Sequence, residues 1–205
     1  MGGCGRPGQW RDGNLEFRRK RDLSIGRKTV GSSAILHGGG ADGALVLGGN
    51  SVLSVGTAAA RANLYVGSNE TVAGTVVGLL DARQGVADIH AANFSVGYST
   101  GGAATGTLRW DRPTVLDVTN MYFGRGVGTG VLDLAAGGTF LLGSAGSRTS
   151  LLAIGYNDSY AGSGKALANL DLSVNDPTFA AYVSNDLSIG RKTVGSSAIL
   201  HGGGA

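Results

Sequence analysis

The sequence predicts an all-β chain folded as a right-handed parallel β-solenoid (β-helix) of about five coils, each built from three short strands. Three observations carry that expectation. Glycine fills 38 of 205 positions and proline only 3, so turns are abundant without a collagen-like or proline-rich signature. A tetrad of the form apolar, variable, apolar, glycine recurs, ending at Gly26, Gly67, Gly97, Gly124, Gly155 and Gly190, at intervals of 41, 30, 27, 31 and 35 residues. Finally, DLSIGRKTVGSSAILHGGGA occurs at 22–41 and again, unchanged, at 186–205, an offset of 164 residues. The chain therefore reads as one long unit plus the first 20 residues of a copy.

Each tetrad predicts a half-buried strand, because alternate side chains point to opposite faces. Leu23 and Ile25, Leu64 and Val66, Phe94 and Val96, Met121 and Phe123, and Leu152 and Ile154 share the core face. Ser24, Tyr65, Ser95, Tyr122 and Ala153 point outward. The closing glycine suits a sharp corner or a positive φ. A second strand follows a Gly/Ser/Thr-rich loop: GTLRW with Leu108 and Trp110, GVLDL with Leu132 and Leu134, ANLDL with Leu170 and Leu172, leaving Arg109, Asp133 and Asp171 outside. A third stretch completes the turn, ADIH near Ile89, VLDV near Val118 and TFLL near Leu142. The first interval holds an extra pair, LVLG and VLSVG, read as an insertion. Residues 58–63, AAARAN, are the only short helical candidate.

Asparagine precedes the tetrad directly at Asn63, Asn93 and Asn120, and by two places at Asn185. Stacked coils would turn these amides into a ladder along one corner; the simpler reading is that asparagine favours turns. Other folds fit less well. A transmembrane barrel wants strands of about 9–11 residues and aromatic girdles, and calcium-binding solenoids want a regular Gly-Gly-x-Gly-x-Asp repeat, which the GGGADGALVL stretch at 38–47 only imitates.

The net charge of +3 comes from one end. Residues 1–21 carry Arg6, Arg11, Arg18, Arg19, Lys20 and Arg21 against Asp12 and Glu16, a net of +4, which leaves 11 basic and 12 acidic residues in 22–205. Residues 1–21 are expected to be a disordered basic tail and 22–205 a solenoid repeat domain. With no aromatic stacking platform beside the tail, specific nucleic-acid binding is not expected; a basic-tail binder of nucleic acid or acidic surfaces is a third reading. The tail has no apolar core of a signal peptide, and no apolar run is long enough for a membrane helix, so no membrane insertion is expected. Cys4 is the only cysteine, which leaves no disulfide framework or thiolate metal site.

The L-x-I/V-G tetrads and G-x-L-x-L strands across 22–205 resemble the repeat regions of large secreted β-helical adhesins, the autotransporter-passenger-like and haemagglutinin-like proteins. That resemblance implies a cell-surface or extracellular stalk, adhesin or matrix component, with a surface glycan or protein as ligand. The chain departs from such proteins in having no signal peptide and no translocating barrel, as a fragment of a larger product would.

Several motifs imitate catalytic ones. Gly97-Tyr98-Ser99-Thr100-Gly101 matches G-x-S-x-G, but that elbow needs a following helix and another strand follows. The run Gly124-Arg125-Gly126-Val127-Gly128-Thr129-Gly130 precedes a strand instead of a helix, so it forms no phosphate cradle. AGSGKAL at 161–167 has Ala166 where a P-loop places Ser or Thr. His37, its copy His201, and His90 have no second ligand at metal spacing. Asn69, Asn93 and Asn157 begin N-x-S/T triplets. Asp111, Asp117, Asp133 and Asp171 fall on successive coils, and a row of carboxylates would suit a polysaccharide-cleaving groove.

The expectation is a non-catalytic structural or adhesive module with no catalytic, cofactor or metal site. Its exposed ends, which share one 20-residue segment, are expected to self-associate end to end. The alternative is a β-helical polysaccharide lyase or hydrolase with an acidic groove.

Overall fold

A computed structural model describes residues 22–29 and 40–194, together with the backbone placement of 10–11 and 14–17. The expectations for the rest of the tail, for His37 and His201, and for 195–205 lie outside the described residues. In chain order the strands are β1 (Trp10–Arg11), β2 (Asn14–Phe17), β3 (Leu23–Lys28), β4 (Ala41–Val46), β5 (Val52–Val55), β6 (Ala62–Asn69), β7 (Thr75–Asp81) and β8 (Val86–Ser99). They continue with β9 (Ala103–Trp110), β10 (Val115–Gly126), β11 (Thr129–Leu134), β12 (Thr139–Leu142), β13 (Thr149–Asn157), β14 (Leu167–Asn169), β15 (Thr178–Ala181) and β16 (Val183–Lys192). The described residues contain no helix.

The chain is all-β with parallel sheets. One sheet has 11 strands and the other 5, and every strand pair is parallel except β1 with β2. The larger sheet holds two lines of pairing, β2-β5-β8-β10-β12-β15 and β3-β6-β8-β10-β13-β16; β8 and β10 are long enough, at 14 and 12 residues, to serve both. The smaller sheet runs β4-β7-β9-β11-β14. Along the chain, successive strands fall on the three lines in turn. LVLG and VLSVG are therefore no insertion: they supply the end of β4 and all of β5, and Gly43 stands opposite Gly78 as any other rung does. The AAARAN segment is not helical either, because Thr57 and Ala60 close a tight turn through paired backbone hydrogen bonds of 3.1 Å and β6 starts at Ala62.

Register places like on like. Leu23, Leu64, Phe94, Met121, Leu152 and Leu187 follow one another across the line through β3 and β16. The inward residues of the three lines meet in one core in which Leu53, Leu64, Phe94, Leu108, Trp110, Met121, Phe123 and Phe140 are fully buried. Phe140 packs between Trp110, Phe123 and Phe179, with ring centroids 6.4, 6.2 and 5.3 Å away. Burial of this apolar surface is the main stabilising term, because a parallel rung alone has nothing to cover its inner face.

The tetrad glycines have φ between 65° and 74°, a region that costs an L-residue with a Cβ about 1–2 kcal/mol. A second glycine column was not foreseen. Gly43, Gly78, Gly106 and Gly130 stand in register on the smaller sheet and press against the tetrad corners. A Cβ on Gly106 would overlap the Val66 carbonyl oxygen and the Gly97 amide nitrogen, and one on Gly130 would overlap the Val96 carbonyl and the Gly124 amide. Backbone therefore packs on backbone along this seam.

Candidate functional site

The outer side of the tetrad strands carries two columns of side chains. One runs Ser24, Tyr65, Ser95, Tyr122, Ala153 and Ser188; the other runs Arg27, Ser68, Tyr98, Arg125, Tyr156 and Arg191. The alternation predicted this outward direction but not its consequence. Ser68, Ser95 and Ala153 are fully buried and Tyr122 nearly so, because the tyrosines and arginines lie down over them. Tyr65 contacts Tyr98 at 6.2 Å and Tyr122 contacts Tyr156 at 6.1 Å. Arg125 sits 4.3 Å from the Tyr122 ring centre and 5.2 Å from that of Tyr98, within cation-π range. Burial opposes the charge of Arg125, but hydrogen bonds of 2.8–3.2 Å to Asp158 outweigh it and hold the guanidinium pKa above its ordinary value. Burial also raises the Tyr65 and Tyr122 hydroxyl pKa values. Each arginine of this layer has an acidic partner, Arg27 with Glu70, Arg125 with Asp158 and Arg191 with Asp186. The layer is thus close to neutral and offers no anion cradle.

The asparagine ladder forms over three rungs. Asn93 Nδ2 donates to Asn63 Oδ1 at 2.8 Å, and Asn120 Nδ2 donates to Asn93 Oδ1 at 3.1 Å. On the far side of Asn63, Asp22 Oδ1 accepts from the Asn63 backbone N–H at 3.1 Å, a bond outside the side-chain ladder. Beyond Asn120 the position belongs to Leu151 and then to Asp186, so Asn185 lies outside the ladder and is exposed.

His90 is not a lone histidine. Its Nδ1 lies 2.7 Å from Asp117 Oδ2 and its Nε2 3.3 Å from Asp88 Oδ1. Asp117 also accepts from Arg61 at 2.7 Å and from the Ser147 hydroxyl at 3.0 Å, and Arg61 reaches the Asp117 carbonyl at 2.7 Å. Sequence spacing missed the centre of this cluster because Arg61, His90 and Ser147 lie 27–56 residues from Asp117 and only register joins them to it, whereas Asp88 is two residues from His90. Burial alone would raise the Asp117 pKa, but the bonds from Arg61, His90 and Ser147 outweigh it and lower it. A His–Asp pair can activate a hydroxyl on the far ring nitrogen, yet that nitrogen faces Asp88 and Ser147 bonds the carboxylate. The arrangement ties neighbouring rungs together.

The four aspartates do not converge. Asp133 bonds Arg109 at 2.9 Å, and Arg109 stands between Asp81 and Asp133 in register, so charge alternates along the sheet. Asp111 accepts from the Thr139 amide, Asp171 caps its own turn through Ser173, and Asp117 belongs to the histidine cluster. The four carboxylates are held by different partners, and the neighbour of Asp133 on β9 is Arg109. A depression lined by Val46, Leu47, Gly48, Asp81, Arg83 and Gln84 is open, and Asp81 there is held by Arg83 at 2.6 Å.

Ser99 of the G-x-S-x-G match is buried; its hydroxyl donates to the Gly102 carbonyl and accepts from the Gly101 amide. The glycine run at 124–130 connects β10 to β11, and the carbonyls of Ala161 and Gly162 in the P-loop-like stretch receive Lys192. Asn69 and Asn157, which begin N-x-S/T triplets, are buried and donate to carbonyls of the following loops. Among the described residues, no group of three or more His, Cys, Asp or Glu side chains is placed to hold a metal ion, and no helix is long and apolar enough to cross a membrane. No protein family, curated protein or solved structure matches the chain.

Proposed function

We propose that residues 22–205 form a right-handed parallel β-solenoid of about five coils with three strands each, serving as a non-catalytic structural or adhesive repeat module of a secreted or cell-surface protein. The observation that carries this is the three-line pairing, in which each strand bonds in parallel to the strand one repeat later. A chain that visits the three lines in turn closes one coil per visit, and right-handed crossovers are the rule between parallel strands. The side chains support a structural role: the amide ladder, the tyrosine–arginine layer and the Asp117 cluster all link one coil to the next.

The extracellular placement and the adhesive role follow the resemblance to secreted β-helical adhesins. The polysaccharide-cleaving alternative loses support from the alternating Asp81, Arg109 and Asp133 row. Incubation with acidic polysaccharides tests the two readings together. The expected result is no depolymerisation; cleavage that disappears in Asp133→Ala would overturn the module reading in favour of an enzyme.

A further inference from the structure

Strands β3 and β16 have the same sequence over Asp22–Lys28 and Asp186–Lys192 but different surroundings. In β3, Ile25 is 6% exposed, because β4 and β7 of the smaller sheet lie across it and Gly43 packs on the Gly26 amide. In β16 the equivalent Ile189 is 69% exposed and Leu187 58%, and a Cβ on Gly190 would meet nothing within 4 Å. Leu187 and Ile189 form one apolar edge; on β3 the same edge lies under β4 and β7 of the smaller sheet.

We infer that this edge takes a second copy of the same chain by strand exchange, with β16 of one molecule occupying the place of β3 in the next. The inference rests on the solenoid reading above and names the partner and register of its self-association. The exchanged strand recovers what β3 has. Paired with β6 of the second molecule, Leu187 stands opposite Leu64, and Arg191 takes the position from which Arg27 bonds Glu70 at 2.8 and 3.1 Å. Asp186 takes the place of Asp22, whose carboxylate accepts from the Asn63 backbone N–H. The second molecule's β4 then lies beside β14, with Gly43 opposite Ala168, and covers Leu187 and Ile189. Because β3 and β16 are identical over that segment, exchanging them nearly cancels; β15, TFAA, replaces β2, NLEF, beside β5, and covering Leu187 and Ile189 adds apolar burial.

Simple stacking, with β16 laid against the edge of β3 that pairs with no described strand, would leave one rung of the smaller sheet empty, since β14 would face β4 across a missing strand. Exchange, with β15 taking the place of β2 beside β5 as β16 takes that of β3, leaves every line continuous and sets the assembly repeat at 164 residues, the offset between the two copies of the segment. Such a head-to-tail contact does not close on itself, so it generates filaments.

Disulfide trapping between differently tagged full-length chains tests this, with Cys4→Ser in every variant. Opposed residues on adjacent parallel strands lie about 4.8 Å apart, within disulfide reach. Arg27 stands opposite Ser68, so exchange predicts an intermolecular bond between Arg191→Cys and Ser68→Cys. Stacking without exchange would instead join Arg191→Cys to Arg27→Cys, and that result overturns the proposal. Ile189→Asp, exposed in the single chain, should weaken association roughly tenfold or more by light scattering; unchanged association also overturns it. An internal control separates the two levels. If Thr105→Cys and Thr129→Cys, opposed on β9 and β11, bond within a monomer that never associates, the solenoid stands and the exchange falls. If that internal bond does not form, the stacking itself is wrong.

Discussion

The glycine seam gives the sharpest quantitative test of the fold. Gly106 has no positive φ, so Gly106→Ala adds only a methyl group, placed on the backbone atoms of Val66 and Gly97. Backbone atoms in a paired rung cannot rotate aside, so the cost is that of overpacking, about 1–3 kcal/mol. Gly97→Ala meets the Thr129 carbonyl in the same way and also has φ +74°, which adds about 1–2 kcal/mol and brings the total to roughly 2–5. Gly190 has φ +66° with open space around it, so its alanine variant carries only the dihedral cost, about 1–2 kcal/mol. Gly146 has neither feature and its variant should stay within about 0.5 kcal/mol. For a chain of this length each kcal/mol moves Tm by about 2–4 °C. Thermal melts followed by circular dichroism should therefore rank the variants Gly146, Gly190 and Gly97 in order of increasing loss, with Gly106 below wild type for steric reasons alone. Gly106→Ala melting with Gly146→Ala would refute the seam, and Gly190→Ala falling as far as Gly97→Ala would show that φ alone sets the cost.

Three further outcomes are expected. Asn93→Leu removes both ladder bonds while keeping a shape that Leu151 already shows to fit; at about 1 kcal/mol per bond it should lose about 2 kcal/mol in chemical denaturation, and an unchanged midpoint would mean that the ladder contributes nothing. Phe140→Ala empties a fully buried site among three aromatic rings and should cost about 3–5 kcal/mol, a value that a loss below 1 kcal/mol would contradict. Asp117 and Asp81 have lowered pKa values in the fold, so the stability they add is complete above the unfolded carboxylate value of about 3.9 and is lost as pH falls through the lower folded values. Asp117→Asn should flatten that acid limb of the stability profile, and a limb of unchanged steepness would rule out Asp117 as a contributor.

How much of this was legible in the sequence differs from feature to feature. The tetrad strands were, because their alternation is local, and so was the positive φ of Gly97 and Gly124, because only glycine takes that corner cheaply. The ladder was half legible: Asn63, Asn93 and Asn120 share a position relative to the tetrad, but Asn185 is displaced by one place and falls outside. The carboxylate row misled because outward aspartates were counted along the chain, whereas Arg109 occupies the rung beside Asp133. Of the two carboxylates on His90, Asp88 is two residues away and was within reach of the sequence, but Asp117 lies 27 residues away and reaches it only through the β8–β10 register.

By itself, then, the sequence determined most of the strands with their inward faces, the turn glycines and the 164-residue offset, all of which depend on neighbours within a few residues or on literal identity; ANLDL is an exception, since β14 ends at Asn169 and Leu172 is 40% exposed. Only the tertiary structure decided what meets across rungs: the second glycine column from Gly43 to Gly130, the tyrosine–arginine layer, the Asp117 cluster, and the unequal exposure of Ile25 and Ile189 on identical strands. Intervals of 27–41 residues between tetrads leave the loops free to vary, so register comes from backbone pairing and core packing, and an identical segment acquires a different environment from whatever lies across it.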